Sequence, residues 1–276
     1  MFVSSILIYF FYYITRFNNR NAKVHFFSFS RFIKKLYLCK IFMVSEHYLS
    51  VAFIITIVIL LYTLYYGIVY TRVSDWIYRI FAKRVNKSVF HTIFFRLSGF
   101  FLFGLGPAFI FKLIYAAEFD FLSLQINHIY ELLPWVIVLF FIAIIIPYMN
   151  VKNSKQSLYP QFKITNWTNS YKMLSYITWI LYLAGYEFMF RGVLLFGTVE
   201  EIGYFPAILL NVSLYAFVHI PKGIKEVVGC FILGPILCVL ALEMHNIIIP
   251  TILHITVCLS NEYFAIRAEV LKRINV

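Results

Sequence analysis

Long runs of apolar residues, separated by short polar segments, divide most of this chain into blocks of helix length. The runs lie at about 48–71, 89–113, 133–149, 173–198, 203–220, 225–243 and 246–265. Most approach the ~20 residues that an α-helix needs to cross a bilayer. Within them the apolar residues are continuous and lack the alternation of a transmembrane β-strand. The pattern predicts an all-α fold, a polytopic helical membrane bundle of about seven or eight transmembrane helices.

Composition favours the same class. Of the 276 residues, 62% are apolar and 13% are charged, whereas soluble domains hold about 25% charged residues. The net charge of +12 comes from basic segments beside the apolar runs, as membrane topology alone would require. No basic patch interleaved with aromatic residues lies on a soluble module, so nucleic acid is not an expected partner. The four cysteines show no Cys-x-x-Cys spacing, which argues against a zinc knuckle or a disulfide framework.

The first part of the chain differs from the rest. Residues 1–45 carry seven Lys or Arg and no Asp or Glu, and their apolar run at 2–15 is short for a span. We interpret 1–45 as a basic extension that is either interfacial or a misreading upstream of a start at Met43. Residues 46–170 then form the N-terminal transmembrane helices, and 171–276 form a helical core with a short tail. Because basic loops face the cytoplasm, the C-terminus is expected to be cytoplasmic.

An acid and a guanidinium lie one helical turn apart inside an apolar run. Glu187 and Arg191 are spaced i and i+4, so on a helix they share a face and can pair. An ionisable residue at bilayer depth indicates a functional site by default. The structural alternative is an ion pair that only locks two helices together, but a buried pair is weak evidence for stability.

Two histidines follow in later runs. His219 ends an apolar run just before Pro221, and the turn that follows could bring Glu226 back toward it. A carboxylate beside an imidazole can hold its tautomer or share general-base work on a water. His254 lies within the last run, where a neutral imidazole could donate to an oxyanion, ligate a metal or simply hydrogen-bond a neighbouring helix.

Cofactor use stays open between two alternatives. The chain could work without a cofactor, or it could hold a divalent metal such as zinc through His219, His254 and Glu187. The His-Glu-x-x-His spacing of the common zinc proteases is absent.

The order and spacing of three motifs resemble the CPBP intramembrane protease family, the bacterial relatives of the type II CAAX-prenyl endopeptidase. The motifs are Phe190-Arg191-Gly192 after Glu187, Tyr215-Ala216-Phe217-Val218-His219, and Ile249-Pro250-Thr251-Ile252-Leu253-His254. The resemblance covers about 171–266 and implies an integral protein of the bacterial plasma membrane. It also implies a catalytic helical core in which glutamate and histidine activate water, while a second histidine and an asparagine steady the oxyanion. Carried over, a carboxylate with His219 would activate water and His254 would stabilise the oxyanion.

Two positions depart from the family motifs. Tyr186 occupies the place of the first of two adjacent glutamates, and Cys258 that of the asparagine. The chain is similar to a single-glutamate form of the family, in which Glu226 or Glu187 replaces the missing base.

The resemblance implies an intramembrane endopeptidase that hydrolyses a peptide bond, with Glu187, Arg191, His219, Glu226 and His254 as its site. Its partners would be a peptide or membrane-protein substrate and the lipid bilayer; the oligomeric state is open. The alternative is an inactive family member, acting as a bacteriocin self-immunity protein or a membrane adaptor. A small transporter is a third hypothesis, against which the lack of inverted repeats counts.

Overall fold

The computed structural model describes residues 46–70, 72–115, 128–153 and 158–274. The predicted extension at 1–45 and the start at Met43 lie outside these residues. Within them all regular structure is helical and no strand occurs. The α-helices are α1 Glu46–Val69, α2 Arg72–Phe81, α3 Lys87–Gly99, α4 Gly106–Tyr115, α5 Ile129–Asn153, α6 Asn169–Glu187, α7 Gly197–Ile202, α8 Tyr204–Phe217, α9 Ile224–Met244 and α10 Ile248–Ile274. Two π-helical segments, Phe100–Leu105 and Phe188–Phe196, and a 3₁₀ turn, Ile220–Lys222, complete the path.

Six helical segments of the described residues are long and apolar enough to span a membrane. They are Val51–Val69, Lys87–Leu113, Ile129–Asn150, Asn169–Ile202, Ile224–Met244 and Ile248–Lys272. Helix α8 is apolar but shorter. Six of the seven predicted apolar runs correspond to these segments, and the run at 203–220 corresponds to the shorter α8. The predicted class, a polytopic helical membrane bundle, is confirmed.

The segment Asn169–Ile202 is the most buried of the six, and Ile129–Asn150 is the most exposed. Helix α6 packs against α3, α10 and the Phe100–Leu105 segment, so other helices surround it on several sides. Helix α5 packs mainly on α10 and exposes Phe141, Ile145 and Met149. Such apolar exposure on a helix long enough to span is the expected surface toward lipid. Because other helices surround α6, the polar residues at its end lie in the protein interior.

Two glycines let α6 contact the first half of the chain directly. A Cβ added at Gly185 would lie 3.1 Å from the backbone N of Gly104 and from the backbone Cα and O of Phe100. Helices approach this closely only where the facing residues are small. Gly185 thus fixes the depth and rotation of the helix that ends at Glu187.

A buried polar cluster also joins α3, α6 and α10. The Arg96 guanidinium donates to the Ser175 carbonyl at 2.7 Å, to the Thr178 hydroxyl at 2.9 Å and to Gln161 Oε1 at 3.1 Å. Glu262 accepts from the Ser175 hydroxyl at 2.7 Å and from the Gln161 backbone N–H at 3.1 Å. Arg96 and Glu262 are both fully buried, with 3.8 Å between the nearest N and O. The cluster ties the segment before α6 to the bundle.

Replacing Arg96 with methionine should lower the free energy of unfolding by about 3–5 kcal/mol, because Glu262 would stay buried without its cation. Thermal or detergent-induced unfolding of the purified protein measures the loss. Arg267→Met is the matched control, since Arg267 is exposed on α10. Equal unfolding of the two variants would contradict this account of the cluster.

Candidate functional site

The site begins where α6 changes its winding. Glu187 is the last residue of α6, and the next nine residues, Phe188–Phe196, are π-helical. Short π-helical stretches within helices occur often at functional sites. Arg191 lies in this stretch, and its Nη1 donates to Glu187 Oε1 at 3.0 Å. Both side chains are fully buried, so the i and i+4 spacing of the sequence becomes an ion pair in the protein interior.

His254 of α10 binds the same carboxylate oxygen. Its Nδ1 lies 2.6 Å from Glu187 Oε1. An ionised carboxylate only accepts hydrogen bonds, so Nδ1 carries the proton and donates it. The other ring nitrogen, Nε2, lies 3.5 Å from the hydroxyl of Tyr215, at the limit of a hydrogen bond. Glu187 therefore orients the imidazole, and Nε2 faces the hydroxyl of Tyr215.

Tyr215 of α8 connects this pair to the second histidine. The Arg191 guanidinium carbon lies 4.6 Å from the centre of the Tyr215 ring, a cation–π contact. The backbone carbonyl of Tyr215 lies 2.9 Å from Nδ1 of His219, which follows α8. A carbonyl can only accept, so His219 also carries its proton on Nδ1.

Lys222 is the partner of the other ring nitrogen of His219. Its Nζ lies 3.1 Å from His219 Nε2, which is left as the acceptor. Burial, and then the Lys222 charge, hold the pKa of His219 well below its usual range. Burial also lowers the pKa of Lys222, and the nearby Cys258 and Glu226 oppose that shift. The His219 imidazole is thus held between the Tyr215 carbonyl and the Lys222 ammonium.

Tyr186 contacts both histidines. Its ring centre lies 6.1 Å from that of His219 and 6.2 Å from that of His254, in edge-to-face orientation. The side chain is buried. The sequence marked Tyr186 only as a departure from a motif; in the structure its ring packs against both imidazoles.

Glu226 lies at the rim of the site. It is half-buried in the first turn of α9 and interacts electrostatically with Lys222 and with Tyr159. No hydrogen bond joins it to His219 in the described part of the chain. The structure therefore brings Glu187, Arg191 and His254 into direct contact. His219 joins them through Tyr215 and Tyr186.

Sequence reasoning gave no role to Lys222 or Tyr215. Lys222 follows His219 by three residues across a proline turn, and that spacing is the signal that could have indicated their contact. Tyr215 precedes His219 by one helical turn, which places its carbonyl within reach of the ring.

The residues considered for zinc do not form a ligand set. Among the residues that the structure describes, no three His, Cys, Asp or Glu side chains lie close enough together to hold a metal ion. His219 Nε2 faces an amine, and His254 Nδ1 is bound to Glu187. A cation at either nitrogen would have to displace these contacts.

In the part of the chain that the structure describes, six membrane-length helical segments and a buried acid, guanidinium and imidazole define a polytopic integral membrane protein with an interior polar site. Residues 168–259 match the family described as type II CAAX prenyl endopeptidase Rce1-like. This confirms the resemblance to CPBP proteases over that segment, which contains all five predicted site residues. Arg96, Gln161 and Glu262 lie outside it. No curated protein and no solved structure matches the chain.

Proposed function

We propose that this protein is an intramembrane endopeptidase of the CPBP type, which hydrolyses a peptide bond with a water activated by a glutamate–histidine pair. The observation that carries the proposal is the 2.6 Å hydrogen bond between Glu187 and His254 in a buried cluster that also adjoins His219. The matched family is in general a protease family and supports the reaction class.

His254 is the general base of the proposed reaction. Its Nε2 takes a proton from water as the water oxygen attacks the carbonyl carbon of the substrate and the C=O electron pair moves onto oxygen. When the C–N bond breaks, the same nitrogen returns the proton to the leaving amine. The products are a carboxylic acid and an amine, and one water is consumed.

Glu187 and Arg191 support that base. Glu187 holds the tautomer of His254 and stabilises the imidazolium that forms during the attack. Arg191 offsets the charge of Glu187. The contacts favour Glu187 over Glu226 as the working carboxylate, since Glu187 binds an imidazole directly. In this proposal His254 is the general base, whereas the family resemblance implied that it donates a hydrogen bond to the oxyanion.

The proposed substrate is a peptide or a membrane protein cut near the cytoplasmic side of a bacterial plasma membrane. The 3₁₀ turn after His219, the segment before α6 and the end of α10 share one side of the bundle, as the contact of Trp167 with Glu269 illustrates. This side also carries Lys163, Lys172, Lys222, Lys225 and Lys272, and basic segments favour the cytoplasm.

The test uses the purified protein in liposomes with a library of transmembrane peptides whose flanking residues are randomised. Mass spectrometry should find cleaved peptides with the wild type and none with Glu187→Gln. Lys225→Met, an exposed change outside the ion pair, should cleave as the wild type does. Identical cleavage by wild type and Glu187→Gln would refute the proposal.

A second candidate is a protein that binds without cleaving, such as a bacteriocin self-immunity protein or an adaptor. The buried Tyr186 ring favours it, because an aromatic ring occupies the motif position of a glutamate and packs against both imidazoles. Cell-based protection that survives Glu187→Gln, with no cleaved peptides in liposomes, would select this function.

A further inference from the structure

Lys222 is a cation of the site that the proposed roles of Glu187, Arg191 and His254 leave unexplained. It is half-buried, whereas Arg191 is fully buried and already bound to Glu187. A substrate that reaches His219 would therefore meet Lys222 before it could meet Arg191.

The turn that follows α8 places this side chain. Ile220–Lys222 forms one 3₁₀ turn, with Pro221 inside it. Gly223 then adopts a φ of +103°, which a residue with a side chain rarely tolerates, and α9 begins at Ile224. The turn folds Lys222 back so that Nζ lies 3.1 Å from His219 Nε2.

Three donors of the site are engaged, and the remaining nitrogens of Arg191, Nε and Nη2, have no hydrogen-bond partner among the described residues but are fully buried. Arg191 Nη1 donates to Glu187, His254 Nδ1 donates to Glu187, and His219 Nδ1 donates to the Tyr215 carbonyl. An ammonium has three N–H donors, and His219 takes one from Lys222. Lys222 thus has donors available next to His219, and it also interacts electrostatically with Cys258, which lies one helical turn after His254.

We propose that Lys222 is a catalytic residue that binds the oxyanion of the tetrahedral intermediate, held in place by His219. The inference rests on the proposed endopeptidase function. His219 is a positioning residue in this scheme: its Nε2 accepts one N–H of Lys222 and fixes the direction of the other two.

The proposed step moves no proton to or from Lys222. As water attacks, the C=O electron pair moves to the carbonyl oxygen, and two N–H groups of Lys222 stabilise the negative charge that develops there. When the C=O bond forms again, the C–N bond breaks and the amine takes its proton from His254. Glu226 interacts electrostatically with Lys222 and favours its charged form throughout.

Lys222→Met tests the role through the best-cleaved peptide of the liposome library. We expect kcat to fall by about 10²–10³-fold, the usual cost of a lost oxyanion donor, with KM nearly unchanged. Lys222→Arg, which keeps the charge, should recover part of the loss. Lys225→Met, three residues further on and exposed, should match the wild type.

A spectroscopic measurement checks the positioning independently of turnover. In protein with ¹⁵N-labelled histidine, the Nε2 signal of His219 should shift in Lys222→Met and stay in place in Lys225→Met. An unshifted Nε2 signal would overturn the contact with Lys222, whatever the cleavage rate.

The two proposals fail in different ways. If Lys222→Met cleaves with wild-type kcat while Glu187→Gln is inactive, the role of Lys222 is wrong and the endopeptidase function stands. If the wild type cleaves no peptide in the library, both proposals are overturned. If Lys222→Met melts at a lower temperature while Lys222→Ala keeps full activity, Lys222 has only a structural role and its proposed catalytic role is wrong.

Discussion

Replacement of His254 with alanine should slow peptide hydrolysis by about 10²–10⁴-fold, the range that a positioned general base contributes. The protein should still insert and fold, because the 3.0 Å pair between Glu187 and Arg191 does not depend on the imidazole. Single-turnover cleavage of the best library peptide measures the rate, and thermal unfolding of the same sample measures the fold.

His128→Ala is the matched control for this variant. His128 is an exposed histidine at the start of α5, where it pairs with Glu131 at 2.6 Å. The His128→Ala variant should cleave the peptide at the wild-type rate. A His254→Ala protein that cleaves at the wild-type rate would remove His254 from the reaction, and the assignment of the base would pass to Glu226 or His219.

Arg191→Met should give the largest loss of stability in the site. It would leave the Glu187 carboxylate fully buried with no cation, at a cost of about 3–5 kcal/mol in the free energy of unfolding. Removing both charges in Arg191→Met/Glu187→Leu should recover most of that loss, since an apolar pair can replace a buried ion pair at little cost. Reversible unfolding in detergent micelles gives the free energies.

The double variant separates two explanations of the pair. If Arg191 acts mainly to offset the charge of Glu187, the double variant is stable but inactive. If the double variant is as unstable as Arg191→Met, the guanidinium contributes by other contacts, such as the one with the Tyr215 ring. Arg267→Met, an exposed change, provides the baseline for both.

The helices and the Glu187–Arg191 contact could be predicted because both depend on short spacings in the chain. A run of apolar residues has to be long enough to cross a bilayer, and that length is visible in the sequence. The i and i+4 positions meet on any helical winding close to 3.6 residues per turn. Their contact survives even though the residues after Glu187 are π-helical.

The contacts between distant segments could not be derived in the same way. Arg96 and Glu262 are each visible as a charged residue within an apolar run, but their contact arises only through the packing of three helices. The resemblance implied that His254 belongs to the site, but not that it would bind Glu187 directly. The contact of Lys222 with His219 depends on the geometry of the 3₁₀ turn Ile220–Lys222.

The contact between Gly185 and Gly104 has a consequence for how the protein can be divided. Gly104 belongs to the half of the chain that the family match does not reach. A fragment cut to the matched residues would expose the face of α6 that normally meets Phe100–Leu105, and it would lose Arg96 as well. Expression of residues 168–259 alone should therefore yield protein that aggregates in detergent, and useful shortened forms must keep both α3 and Phe100–Leu105.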